Sequence, residues 1–205
     1  MDEYNLGISS KICTITRYML ETHSKVLLIR FDVRYPDGHS VDSPKNDDIS
    51  KLVKSLKEWF RDAGIDMGYL WVREQNLSDL PHYHIALWVN GSRMQNGSQV
   101  LQFAAESWNR AIYHYGLGLI HHSSLSDGKS WHMLKRPSQA AAKIDWQMFQ
   151  SEVDIMVDRL HYLAKTYTKD MAGYRVRNYS GSSVDVEEAG PMPIAITYPS
   201  SYLPF

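Results

Sequence analysis

Apolar and polar residues alternate along residues 25–35, and this period of two predicts a strand with one buried face. The apolar side carries Leu27, Ile29, Phe31 and Val33. The polar side carries Arg30, Asp32 and Arg34. A turn signal follows at residues 36–38 (Pro-Asp-Gly), so we expect the strand to end near residue 35.

Apolar residues recur every three or four positions in three other stretches, and this period predicts amphipathic helices. The helices are expected at about residues 46–63, 98–115 and 150–169. Further strands are expected at residues 67–74, 82–89 and 119–125. The pattern between residues 126 and 148 is mixed and favours neither a helix nor a strand.

The order strand, helix, strand, strand, helix, strand predicts an α+β fold of the split β-α-β type, as in ferredoxin-like and RRM-like domains. We expect a largely antiparallel sheet with its helices on one face, which leaves the other face open for an active site. One domain is expected over residues 25–172. Residues 1–24 are an N-terminal extension of unassigned structure. Residues 173–205 are expected to form an irregular tail, because Gly, Ser, Pro and acidic residues are frequent there.

Charge and composition narrow the class of protein. The net charge of −1 argues against a protein that coats nucleic acid, which would be strongly basic, although it permits a local basic surface. Cys13 is the single cysteine, which excludes an internal disulfide. The first residues are acidic where a secretory signal is basic and then apolar, and no apolar run approaches the ~20 residues of a membrane span. We therefore expect a soluble, cytoplasmic protein without a membrane partner.

Two histidines alternate with apolar residues in the strand predicted at residues 82–89. His82 and His84 project from the same side of that strand, where their ring nitrogens form the start of a divalent-metal site. Glu74 ends the preceding strand and would face His82 if the two strands form a hairpin in that register. A carboxylate with two imidazoles suits Mg²⁺ or Mn²⁺. The alternative is that all three are ordinary surface or strand-end side chains.

Tyr162 and Lys165 lie one turn apart on the third predicted helix. Tyr162 lies away from the apolar stripe of that helix, whereas Tyr167 lies on it. A tyrosine hydroxyl, with an ordinary pKa of about 10, is a poor nucleophile, but a nearby ammonium and a metal-polarised phosphate make its attack on phosphorus feasible. Tyr162 is therefore the candidate nucleophile, and an exposed structural tyrosine is the alternative.

Basic residues provide candidates for contact with phosphate. Arg30 and Arg34 share one side of the first strand, where each guanidinium could hold a phosphate through two hydrogen bonds. A basic stretch towards the C-terminus adds Lys169, Arg175 and Arg177. Each of these five positions is equally compatible with an ordinary solvated side chain.

Taken together, the histidine and tyrosine motifs resemble those of the HUH endonucleases, in the branch of rolling-circle replication initiators. Residues 81–89 are similar to the His-hydrophobe-His motif of that family, and residues 162–165 are similar to its Tyr-x-x-Lys helix. Residues 28–34 lie where the family has its first strand, and Glu74 lies where several members have a third metal ligand. The resemblance spans about residues 25–170 and extends to the inovirus and prophage replication proteins described as Gp2-like.

The resemblance implies an HUH-type catalytic domain that nicks and rejoins DNA with a divalent metal. His82, His84 and Glu74 would hold the metal. Tyr162 would attack the scissile phosphate of single-stranded or hairpin DNA at a replication origin, keep a 5′-phosphotyrosine link and free a 3′-hydroxyl for a polymerase. Lys165 would position that phosphate or neutralise its charge, and a host helicase is a candidate partner.

One position departs from the two-tyrosine initiators, because Thr166 stands where they have a second tyrosine. The resemblance therefore implies a single-nucleophile enzyme that starts rolling-circle replication of a phage, prophage or plasmid. Two alternatives stay open. One is a single-tyrosine transposase on the same fold, and the other is a DNA-binding protein that has lost cleavage.

Overall fold

A computed structural model of the chain describes residues 4–39, 46–75, 80–114, 119–123, 125, 128–165 and 176–184. The helices are α1 (Leu6–Thr22), α2 (Asp47–Asp62), α3 (Gly97–Ala111) and α4 (Lys143–His161), followed by a 3₁₀ turn (Tyr162–Ala164). The strands are β1 (Lys25–Val33), β2 (Met67–Glu74), β3 (His82–Asn90), β4 (Ile120–His122), β5 (Trp131–Lys135) and β6 (Tyr179–Gly181). The protein is therefore of the α+β class, as predicted.

The six strands form one sheet in the order β4-β1-β3-β2-β6. Strand β5 also pairs with β1, along residues 25–29, whereas β4 pairs with residues 31–33 of β1. Every pairing among these strands is antiparallel. Because α2 connects β1 to β2 and β3 lies between them, the sheet contains the split β-α-β unit that the sequence predicts.

The first face of the sheet is the one that presents Leu27, Ile29, Phe31 and Val33 of β1. It packs against α2 and α3, whose apolar stripes complete a continuous core. Leu52 of α2 and Trp108 of α3 are fully buried in that core. Strand alternation on one side and helical periodicity on the other thus produce the packing that the sequence pattern predicts.

The second face, which presents Val26 and Leu28 of β1, is also covered by helices. Helices α1 and α4 pack on it and form a second core with the sheet. Buried apolar residues of α1 recur with helical spacing, among them Ile8, Ile12, Ile15 and Met19. The expectation that all helices lie on one face is therefore wrong, because the N-terminal residues form a buried amphipathic helix.

The structure also differs from the sequence prediction in the C-terminal third of the chain. Helix α4 begins and ends earlier than predicted, so Tyr162 lies in the 3₁₀ turn after the helix. Part of the expected irregular tail forms β6, which pairs with β2. Its Gly181 lies so close to β2 that a Cβ atom there would be 3.0 Å from the carbonyl oxygen of Tyr69. Among the described residues, no helix is long and apolar enough to cross a membrane.

Candidate metal centre and neighbouring tyrosine

Strand register brings the predicted ligands together at one end of the second face. Glu74 is the antiparallel partner of His82, which confirms the register assumed from the sequence. His84 lies opposite Val72 on β2 and opposite Asp32 on β1. Because directly opposite residues share a face, the two histidines and both carboxylates project from the same side of the sheet.

Glu74, His82 and His84, here called the triad, could together hold one metal ion. Their ligand atoms all lie within 4.8 Å of one another. His82 Nε2 is 3.4 Å from Glu74 Oε2, and His84 Nε2 contacts the same carboxylate oxygen. The two imidazole rings stand edge to face with centroids 4.9 Å apart.

The chemistry of the triad fits a divalent cation. One carboxylate oxygen and two imidazole nitrogens are ligands that Mn²⁺ accepts, and three protein ligands leave coordination positions for water or a phosphate oxygen. The side chain of His84 is 7% exposed, whereas that of His82 is 22% exposed. The triad is therefore closed on the side of the sheet and open on the side of His82.

Asp32 contacts the ring nitrogen of His84 that faces away from the triad. His84 Nδ1 and Asp32 Oδ1 are 2.7 Å apart. Burial disfavours the charged imidazolium, but hydrogen bonds to Asp32 and Glu74 outweigh it and raise the pKa of His84 above its ordinary value. Burial likewise opposes ionisation of Asp32, but hydrogen bonding to His84 and the charges of His84 and Arg30 lower its pKa.

Tyr162 lies beside the triad, in the 3₁₀ turn that follows α4. Its side chain is 44% exposed, and its ring is edge-on to His84 with centroids 6.3 Å apart. Two cations flank the ring. Arg30 Cζ is 5.0 Å from its centroid and Lys165 Nζ is 5.5 Å from it. The structure thus brings the predicted nucleophile, the predicted lysine and the triad into one site.

The turn that carries Tyr162 is fixed to the start of α1. The backbone N–H of Asn5 donates to the carbonyl of Ala164 at 2.8 Å, and Tyr4 forms an isolated antiparallel bridge with Lys165. Asn5 also caps α1, because its side chain accepts from the N–H of Ile8. The N-terminal segment therefore helps to hold Tyr162 at the site, which the sequence pattern did not predict.

The arginines predicted to contact phosphate occupy different surroundings. Arg30 is half-buried on the second face and donates to the carbonyl of Arg159 at 3.4 Å, and burial lowers the pKa of its guanidinium. Arg34 is exposed beyond the end of β1. Arg177 is exposed near the start of β6, where its carbonyl accepts from Asn46. The remaining two candidates lie outside the described residues; they are Lys169 and Arg175.

Asp32 is the residue of this site whose role sequence reasoning missed. Its alternation with Arg30 placed it on the correct side of the first strand. No local pattern indicates that it lies opposite His84, because that contact depends on the pairing of β1 with β3, and the two residues are 52 positions apart in the chain. Only the register of the sheet identifies it.

Fold and site first define a class: an α+β protein whose antiparallel sheet carries a carboxylate and two histidines beside an exposed tyrosine. The family model of the YagK/YfjJ C-terminal domain matches residues 2–183. The chain therefore belongs to this prophage-associated family. Neither a curated protein nor a solved structure matches it.

Proposed function

We propose that this protein is a metal-dependent enzyme that nicks and rejoins single-stranded DNA at a specific site. The observation that carries the proposal is the position of Tyr162, whose ring centroid is 6.3 Å from that of His84. A tyrosine hydroxyl is a common structural group, but one beside three metal ligands and two cations has the parts needed for phosphoryl transfer. The resemblance to HUH endonucleases supports the same reaction.

In the proposed cleavage, Tyr162 is the nucleophile, and Arg30 and Lys165 stabilise charge. The Tyr162 oxygen forms a bond to the scissile phosphorus and gives up its proton, while the bond from phosphorus to the 3′-oxygen breaks and that oxygen takes a proton. The products are a 5′-phosphotyrosine link and a free 3′-hydroxyl. Arg30 and Lys165 flank the ring and stabilise negative charge on the phosphate. Attack by a 3′-hydroxyl on the phosphotyrosine reverses these steps and rejoins the strand.

The triad would hold Mg²⁺ or Mn²⁺, which when bound polarises a phosphate oxygen. Glu74 and His84 would bind it from the buried side, and His82 from the exposed side. The ring of Tyr162 is edge-on to His84 of the triad and is 44% exposed, so a phosphate could reach both. In a prophage-associated family, the biological role that fits this reaction is initiation of rolling-circle replication, with origin DNA as substrate and a host helicase as partner.

Covalent capture of DNA tests the proposal without knowledge of the recognition sequence. The whole protein is incubated with Mn²⁺ and a random-sequence single-stranded DNA library, and complexes that survive denaturing detergent are isolated and sequenced. We expect a covalent adduct enriched in one sequence, which disappears in Tyr162→Phe and in EDTA. Tyr113→Phe is the matched control, because Tyr113 is 86% exposed at the end of α3 and lies on the other side of the sheet.

The same experiment separates the alternatives. An adduct that persists in Tyr162→Phe at the level of the unmodified protein would contradict the assignment of the nucleophile. Binding of one DNA sequence without any adduct would identify a cleavage-inactive DNA-binding protein. If the adduct forms, a second DNA duplex and a polymerase are added together. Insertion into the duplex indicates a transposase, and extension of the 3′-hydroxyl indicates an initiator.

A further inference from the structure

His84 differs from His82 in having a carboxylate at each of its ring nitrogens. Nε2 contacts Glu74 inside the triad, and Nδ1 is 2.7 Å from Asp32 outside it. Asp32 and His84 are opposite each other in the pairing of β1 with β3, so the backbone of two central strands sets their separation. The contact is therefore a built feature of the sheet.

The contact with Asp32 bears on metal binding because it determines which ring nitrogen of His84 carries the proton. An imidazole that gives Nε2 to a metal must carry its proton on Nδ1, and that N–H needs an acceptor when the ring is buried. The side chain of His84 is only 7% exposed, so water has little access to it. Asp32 supplies an acceptor oxygen at hydrogen-bond distance.

Asp32 is itself held in place by its surroundings. Its side chain is 14% exposed and also accepts a hydrogen bond from Ser123. The charge of Arg30, two residues earlier on the same face, favours its ionised form. A carboxylate fixed in this way can orient the imidazole and increase its basicity towards a metal.

We infer that Asp32 is a positioning residue for the metal centre, which holds His84 in the Nδ1–H form with Nε2 directed into the triad. This inference rests on the proposed metal site and deepens it. Asp32 acts on the metal through His84, and it is not one of the triad ligands. Its role is thus separate from those of Glu74, Tyr162 and Lys165.

The chain offers a matched control pair. His132 Nε2 lies 2.6 Å from Glu152 Oε1, where β5 packs against α4. The residue types and the separation are similar to those of His84 and Asp32, but neither residue belongs to the triad. Glu152→Gln therefore removes a histidine–carboxylate contact without touching the proposed site.

The test measures Mn²⁺ affinity of the whole protein by calorimetry in four forms: unmodified, Asp32→Ala, Asp32→Asn and Glu152→Gln. We expect Asp32→Ala to bind Mn²⁺ about 10–100-fold more weakly, as is typical when the partner of a ligating histidine is removed. Asp32→Asn keeps an acceptor oxygen but loses the charge, so its affinity for Mn²⁺ should lie between those of the unmodified protein and Asp32→Ala. Glu152→Gln should bind as the unmodified protein does.

A spectroscopic readout detects orientation directly and needs no activity. Long-range ¹H–¹⁵N correlation of the His84 ring is recorded in metal-free Glu74→Ala, in which Nε2 no longer contacts a carboxylate, and it should show the proton of the neutral ring on Nδ1. When Asp32→Ala is combined with Glu74→Ala, we expect a mixture of both tautomers. Circular dichroism and thermal unfolding establish which variants fold, and Asp32→Asn supports the test if Asp32→Ala does not.

The outcomes distinguish this inference from the proposed function. Mn²⁺ affinity and His84 tautomer unchanged in both Asp32 variants would overturn the role of Asp32, even if nicking is intact. Tight Mn²⁺ binding that weakens in Asp32→Ala, in a protein that forms no DNA adduct, would support Asp32 and contradict the nicking reaction. A protein that binds no Mn²⁺ would overturn both.

Discussion

The two faces of the sheet are built from the same strands, but they differ in how far their apolar surface extends. On β1 the first face is apolar from Leu27 to Val33. The second face is apolar at Val26 and Leu28 and then changes to Arg30 and Asp32. The same change occurs on β3, where Trp88 and Ala86 are followed towards the strand's start by His84 and His82.

This difference shows where the fold gives up apolar packing. Buried charged groups contribute less to stability than well-packed apolar side chains of similar volume, and they cost several kcal/mol when a partner is lost. Asp32, His84 and Glu74 are nevertheless enclosed at one end of the second face, each paired with another. A sheet selected for stability alone would continue its apolar surface there, so we assign this end of the face to chemistry and the first face to folding.

Of the substitutions considered, Glu74→Gln is expected to have the largest effect on the chemistry assigned to the second face. Gln keeps the shape of the side chain but removes the carboxylate that contacts both histidines. DNA adduct formation at fixed Mn²⁺ should fall at least about 100-fold, since loss of a metal's charge stabilisation amounts to several kcal/mol. This loss is measured as the initial rate of adduct formation. Glu106→Gln, on the exposed side of α3, should not change the rate, and an equal loss in that variant would point to an unspecific charge effect.

Substitutions at two adjacent residues of β1, one on each face, allow a direct comparison of the two faces. Ile29→Ala removes a fully buried side chain from the first face and should lower the free energy of unfolding by about 2–5 kcal/mol. Arg30→Met keeps a long side chain on the second face and should change stability much less, because burial already opposes the guanidinium charge. Its adduct formation should fall about 100-fold with the loss of a charge-stabilising donor.

Urea unfolding and adduct kinetics on both variants measure the two effects. Mn²⁺ affinity of folded Ile29→Ala should match that of the unmodified protein. A large loss of stability in Arg30→Met together with normal cleavage would reverse the roles that we assign to the two faces.

Added metal should stabilise the protein through the second face alone. A ligand that binds only the folded state raises the free energy of unfolding by about 2.7 kcal/mol at 100 times its dissociation constant. Thermal unfolding with and without Mn²⁺ should show this increase in the unmodified protein and none in Glu74→Gln. The same upward shift in both proteins would place the metal elsewhere.

Much of the difference between the two faces could be predicted from the sequence, because strand alternation is a local signal. The pattern of β1 and β3 assigned each side chain to the correct face, and the hairpin between β2 and β3 aligned Glu74 with His82. The order of elements then predicted the split β-α-β unit. These features depend on neighbours that are close in the chain.

The parts that sequence reasoning missed depend on distant contacts or on blurred patterns. The sequence pattern predicts helix α4 too far along the chain, because its exposed side carries large apolar residues that obscure its periodicity; they are Ile144, Met148 and Ile155. Strands β5 and β6 are short and owe their form to edge pairing with β1 and β2. The apolar spacing of α1 is a local signal of an amphipathic helix, and its apolar side is the one that covers the second face.

Cys13 offers a smaller and independent test of that cover, because it lies on α1. Burial raises the pKa of its thiol to about 11, and only the thiolate reacts with iodoacetamide. At pH 8 we expect alkylation of the folded protein to be at least about tenfold slower than that of the same protein in guanidinium, where the thiol has its ordinary pKa of about 8.5. The rate in the folded protein should rise with pH up to about 11, since the thiolate fraction grows until the pH passes the pKa. Mass spectrometry of labelled protein measures both rates.

Equal rates at pH 8 in the folded and unfolded protein would mean that the packing of α1 does not shield the Cys13 thiol.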